Sequence, residues 1–132
     1  MYYELKIKVE KENSKGEIKE VKEHYITDAD LFADVEYKGL NEYSGKCDVF
    51  AINRSKIREI VNGKAEDKPF FKATLIDVFV TEDGTEKETA YPVLVCAKDM
   101  KEANGIMEEY MKQGLSDLRL EGIVKTKILD VL

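Results

Sequence analysis

Residues 2–10 alternate without a break: Tyr3, Leu5, Ile7 and Val9 fall on one side, Glu4, Lys6, Lys8 and Glu10 on the other. A period of two is that of a strand with one buried and one wet face. Asn13-Ser14-Lys15-Gly16 then reads as a turn into a second strand over about residues 17–27. Beyond it the spacing of Leu31, Val35 and Leu40, with Phe32, is helical until Ser44-Gly45 stops it. Asp28 and Asp30 stand where a helix N-terminus favours a carboxylate. A third strand over about 47–57 carries Val49 and Phe50.

Residues 62–69, Asn-Gly-Lys-Ala-Glu-Asp-Lys-Pro, are polar and turn-forming and read as a linker. The order then restarts. Over about 70–81 Leu75, Ile76, Val78, Phe79 and Val80 leave neither strand face polar, which predicts a central strand. Asp83-Gly84 marks a tight hairpin turn, and the return strand over about 87–96 contains Pro92, a sign of an edge or bulge. A helix over about 98–113 places Met100, Ala103, Ile106, Met107, Tyr110 and Met111 on one face, with Gly114 as its stop. The last strand runs over about 117–129.

The two halves also match residue by residue. Residues 51–61 align without a gap to residues 122–132, with three identities and six conservative exchanges, and Tyr2-Tyr3 corresponds to Phe70-Phe71. A period near 70 residues is too long for a solenoid unit and points to duplication of a small unit. The expected fold is α+β: a duplicated β-β-α-β unit, mostly antiparallel sheet with two helices, as one domain over 1–132 with pseudo-repeats 1–61 and 70–132. The tails 57–61 and 128–132 fit either a strand or a helical turn.

Composition narrows the functional classes. The 132 residues are 43% hydrophobic and 36% charged, with Lys and Glu interleaved, so the charge reads as solvated faces. The net charge of −6 repels phosphate at long range, so nucleic-acid binding would need a local basic patch. Cys47 and Cys96 have neither metal spacing nor a disulfide framework and read as free thiols in a reducing cytoplasm. No apolar stretch approaches 18 residues, which predicts a soluble protein with no membrane partner. Gly-rich phosphate loops, zinc spacings and nucleophile elbows are missing, so neither an enzyme nor a cofactor is expected.

The order of several short motifs carries a resemblance. Tyr2-Tyr3 opens the chain, Ile26-Thr27-Asp28-Ala29 precedes the first helix, and Phe70-Phe71-Lys72-Ala73 reopens the second half. Leu94-Val95-Cys96-Ala97-Lys98-Asp99 leads into the second helix, and Ile128-Leu129-Asp130-Val131 ends the pattern. In these the chain resembles, over nearly its whole length, the family designated domain of unknown function 4494, found in Bacteroidetes and their phages, including crAss-like phages. Lys38 and Asn41, around a helix with Gly39 inside it, depart from the pattern. The resemblance supplies no catalytic residues. It implies a replication or host-takeover accessory protein in the bacterial cytoplasm, with a single-stranded DNA-binding role.

The residues offer one constellation for that chemistry. Read as a strand, the first repeat motif sends Phe50, Ile52, Arg54, Lys56 and Arg58 to one face and Val49, Ala51, Ser55 and Ile57 to the other. The second sends Ile123, Lys125 and Lys127 outward. A cationic strand face with nearby rings suits single-strand binding, because charges follow the backbone and rings stack on bases. Tyr2 and Phe70 are the candidate stacking rings, since alternation leaves one ring of each pair outside the core. The same lysines equally serve to solubilise a face or blunt an edge strand. A host or replisome protein, a second copy in a homodimer, or a small ligand bound as a sponge are the competing partners. His24 reads as solvated, Asp77 as a half of a structural ion pair, Asp28, Asp30 and Asp34 as helix N-terminal charge, and Met100, Met107 and Met111 as core or partner-facing.

Overall fold

A computed structural model describes residues 1–62, 68–114 and 117–132. The linker expected over 62–69 lies largely outside the described residues. The protein is α+β, and the described residues form two four-stranded sheets and two helices. In chain order the elements are β1 (Tyr2–Glu12), β2 (Ile18–Asp28), α1 (Phe32–Asn41), β3 (Asp48–Arg54), β4 (Ile60–Val61), β5 (Phe70–Val80), β6 (Glu86–Cys96), α2 (Met100–Gln113), β7 (Asp117–Lys125) and β8 (Ile128–Val131). The sheets are ordered β3-β1-β2-β8 and β4-β6-β5-β7. The chain forms two compact units: Met1–Ser55 with Lys127–Leu132, and Lys56–Thr126.

The turns form for the reasons read from the residues. Asn13 Oδ1 accepts from the N–H groups of Lys15 and Glu17 at 2.9 and 3.0 Å, and Gly16 supplies the positive φ of 77°. This fixes β1 against β2 with Glu12 opposite Ile18 and Lys8 opposite Lys22. Asp83 and Gly84 close the β5–β6 hairpin, Asp83 accepting from the Thr85 N–H at 3.0 Å. Hydrogen-bond donors hold the Asp83 carboxyl down at about 2, the Thr81 hydroxyl first among them.

In the first unit α1 lies over β1 and β3, burying Val35 and Gly39 against Tyr3, Leu5 and Ile7. Asp28 and Asp30 do not cap this helix: Asp28 ends β2, and the cap position is Leu31, which offers no side-chain bond. Gly39 answers to packing. A Cβ there would meet Leu5 Cδ1 at 2.7 Å and Val49 Cγ2 at 2.8 Å, so the helix touches the sheet through bare backbone. The helix therefore runs through Gly39 to Asn41, and Ser44 and Gly45, both at positive φ, end the turn behind it.

In the second unit α2 starts with Asp99 accepting from the Glu102 N–H at 2.8 Å and packs Ala103 and Met107 on Phe71, Ala73 and Leu75. Gly114 caps it in an extended conformation. The methionine row divides: Met107 is fully buried, Met111 is packed at the core margin and Met100 is exposed. β5 is interior, as its two-sided apolar run predicts. Its far end leaves the covered region, with Phe79 and Val80 exposed. Asp77, half-buried opposite Thr89 and Leu118, makes no ion pair among the described residues.

The repeat motif is not one continuous strand. β3 stops at Arg54, where the Ser55 N–H donates to Tyr2 O at 2.9 Å; β7 stops at Lys125, where the Thr126 N–H donates to Phe70 O at 2.9 Å. Both tails are strands and both are parallel additions: Ile60 and Val61 pair with Leu94 and Val95, and His24, Tyr25 and Ile26 pair with Ile128, Asp130 and Val131. Each sheet thus ends in a short strand that follows the third strand of the other sheet in the chain.

Candidate functional site

The face of the first sheet away from α1 carries the even-numbered residues of β1, because Tyr3, Leu5 and Ile7 take the core side. Its rungs run Glu4–Ile26, Lys6–His24, Lys8–Lys22 and Glu10–Glu20. Two lysines directly opposite each other are an unfavourable cross-strand pair. A bulge in β3 supplies what sits beside them. Lys6 pairs with Ala51 and Ile7 with Val49, leaving Phe50 as the extra residue. The bulge sends both Val49 and Ile52 to the core and swings Phe50 onto the outer face. There Lys8 Nζ lies 4.6 Å and Lys22 Nζ 5.9 Å from the Phe50 ring centroid, and the ring is 38% exposed. Neither lysine forms an ion pair among the described residues. Two ammonium groups over one accessible ring can accept an anion and a stacked planar group together.

Of the residues expected to form a basic stripe, this face holds Phe50 alone, together with a half-buried Tyr2. Arg54 pairs with Tyr3 and so lies on the α1 side of the sheet, opposite to Phe50. Lys56 and Arg58 follow the end of β3 and belong to the second unit, so they continue no stripe. The Arg58 guanidinium lies 3.7 Å over the Tyr91 ring, within the second unit. Lys125 ends β7 opposite Phe71, on the helix side of its sheet, and Lys127 stands exposed in the break before β8. Phe70 is not an exposed ring: it is 3% accessible. It shares its face with Leu94 and Cys96, both fully buried, because β5 and β6 are apolar on both sides.

Lys8 and Lys22 were missed, although their pairing was legible. The alternation in 2–10 puts Lys8 on the wet face, and a turn at 13–16 brings Lys22 opposite to it. His24 is more than solvated: its Nε2 lies 3.0 Å from Glu4 Oε1, and Ser55 Oγ donates to Glu4 Oε2 at 2.7 Å.

On the core side of the same unit, Glu23 is a buried carboxylate, 8% accessible. It accepts from Lys11 Nζ at 3.0 Å, from Tyr25 Oη at 3.2 Å and from Tyr43 Oη. Burial pushes its pKa up, but the bonds from Tyr43 and Lys11 outweigh that and hold it below the usual carboxylate range. Burial first, and then Tyr43 and Glu23, raise the Tyr25 phenol. The Cys47 thiol is also raised, by burial and by Asp48 and Glu42, which makes it a poor nucleophile. Among the described residues no group of three or more His, Cys, Asp or Glu side chains could hold a metal ion, and no helix is long and apolar enough to cross a membrane.

The sequence matches the family of domain of unknown function DUF4494 over residues 1–132, and the chain belongs to that family. No curated protein and no solved structure matches it.

Proposed function

Starting from that family membership, we propose that the chain is a non-enzymatic accessory protein that binds single-stranded nucleic acid through the outer face of its first sheet. The observation that carries this reading is the Phe50 ring at the bulge, with Lys8 and Lys22 over it, neither in an ion pair among the described residues. A ring and paired cations are what a sequence-tolerant single-strand site requires. The reading places the protein in the cytoplasm of a Bacteroidetes host as a phage or mobile-element product, in keeping with the family's setting, and takes the common plan of its two sheets as the outcome of duplication. With a net charge of −6, binding depends on this local patch and falls steeply with salt. The test is titration of a labelled oligothymidylate at low salt. The wild type shifts it, and Lys8→Glu with Lys22→Glu removes the shift. A wild type that gives no shift at low salt ends the proposal.

A second reading rests on α1, where Leu31, Phe32 and Tyr37 are 63%, 56% and 67% exposed. Exposed apolar side chains on one short segment suit a protein partner or a homodimer. Sedimentation of the wild type and of Phe32→Asp with Tyr37→Asp tests this: a dimer that the substitutions dissolve supports it, and a monomer in both removes the homodimer.

A further inference from the structure

The charge order along the first sheet sets how much of a strand the site can hold. This rests on the nucleic-acid reading above. We infer that the site takes a short single-stranded segment, one base on Phe50 with two or three phosphates, and not a long tract wrapped over the protein. Lysines occupy only two successive rungs, Lys6 opposite His24 and Lys8 opposite Lys22. Same-face rungs are about 7 Å apart, so the cationic strip is short. Toward the hairpin the next rung is Glu10–Glu20, two carboxylates directly opposite each other, with Asp48 beside Lys8 on β3. A phosphodiester led that way meets like charge. In the other direction the next rung is Glu4, whose carboxylate already bonds His24 and Ser55, opposite the fully buried Ile26.

The second unit offers no equivalent site. Its sheet has the same bulge at the same register, with Thr74 opposite Gly122 and Leu75 opposite Leu120, but the extra residue is Glu121. Ile76 and Ala90 stand in the rung that corresponds to Lys8 and Lys22. An apolar rung beside a carboxylate neither attracts phosphate nor stacks a base.

The test is a length series of oligothymidylates of about two, four, eight and sixteen nucleotides, with affinities corrected for the number of binding registers on each. Affinity should level off by about four nucleotides, with a salt slope of about −2, the value for three phosphates at about −0.7 each. Glu10→Lys with Glu20→Lys should lengthen the plateau to about eight nucleotides and steepen the slope, since it removes the boundary. Corrected affinity that climbs through sixteen nucleotides, or a wild-type slope near −5, would overturn the short footprint and leave nucleic-acid binding standing. No binding to any length would overturn both.

Discussion

The two units share a plan, and three of the differences between them have a physical reading. Leu5 and Gly39 in the first core stand where Ala73 and Met107 stand in the second. A large strand residue faces a bare helix backbone in one unit, and in the other a small strand residue and a long helix side chain are both fully buried in one core. The bulk has moved across the interface, and the packing is filled either way. Glu23, with its lysine and two tyrosines, occupies the register that Tyr91 holds in the second unit, where the partner is an arginine over the ring. The bulge holds Phe50 in one and Glu121 in the other. The core exchanges conserve volume or satisfy a polar group. The bulge exchange does neither: it puts a carboxylate where the first unit has a ring, beside a rung that has lost both lysines. That is the reason for placing function at Phe50.

The largest expected effect breaks the volume exchange. Leu5→Ala should lose about 3 kcal/mol of stability to the cavity it leaves. Adding Gly39→Met, which copies the second unit, should return part of that loss, whereas Gly39→Met alone should be strongly destabilising through overpacking. A double-mutant cycle by urea unfolding should give a coupling of about 1–3 kcal/mol. Additive effects would show that the two cores are not complementary versions of one another.

Next is the polar network. Glu23→Gln keeps one oxygen to accept from the two phenols but removes the charge and turns an NH2 group toward the Lys11 ammonium, and should cost about 2 kcal/mol. The wild type should also carry a pH dependence that the variant lacks. The Glu23 pKa is depressed in the folded state, so its contribution is fully present above the unfolded value of 4.5 and is lost as pH falls through the folded value. Thermal melts between pH 7 and about pH 3 should therefore converge for the two proteins at the acid end. Equal slopes in both would remove Glu23 as the source.

A smaller effect separates the aromatic from the fold. Phe50→Ala removes a ring that is 38% exposed, so stability should change by less than about 1 kcal/mol. Oligonucleotide affinity should fall by about 1–3 kcal/mol, the worth of one stacked base. A large loss of stability with unchanged affinity would reverse the assignment and make Phe50 structural.

Much of the fold was legible because it is written in local patterns. The alternation of 2–10, the Asn13 and Asp83 turns, the helical spacing of Val35 and of Ala103 and Met107, and the interior character of β5 all depend on near neighbours. What escaped depends on distant partners. The bulge at Phe50 is defined only against β1, and it reverses the facing read for Ile52 and Arg54. The breaks at Ser55 and Thr126 come from backbone bonds to Tyr2 and Phe70, far away in the chain, and they end the stripe expected to run on through Lys56 and Arg58. The burial of Phe70 followed from the two-sided apolar run of 70–81, and the alternation rule applied to Phe70-Phe71 placed its ring outside the core against that signal. Asp28 and Asp30 looked like helix caps by type, but Asp28 is the last residue of β2 and the cap position falls on Leu31, one residue past Asp30.

The central claim is that the second unit's residues would silence the first unit's site. Lys22→Ala with Phe50→Glu writes Ala90 and Glu121 into the first sheet. Titrated with a labelled oligothymidylate at low salt, this variant should bind at least about tenfold more weakly than the wild type while melting at nearly the same temperature. Binding equal to that of the wild type, in a variant that folds, would contradict the account.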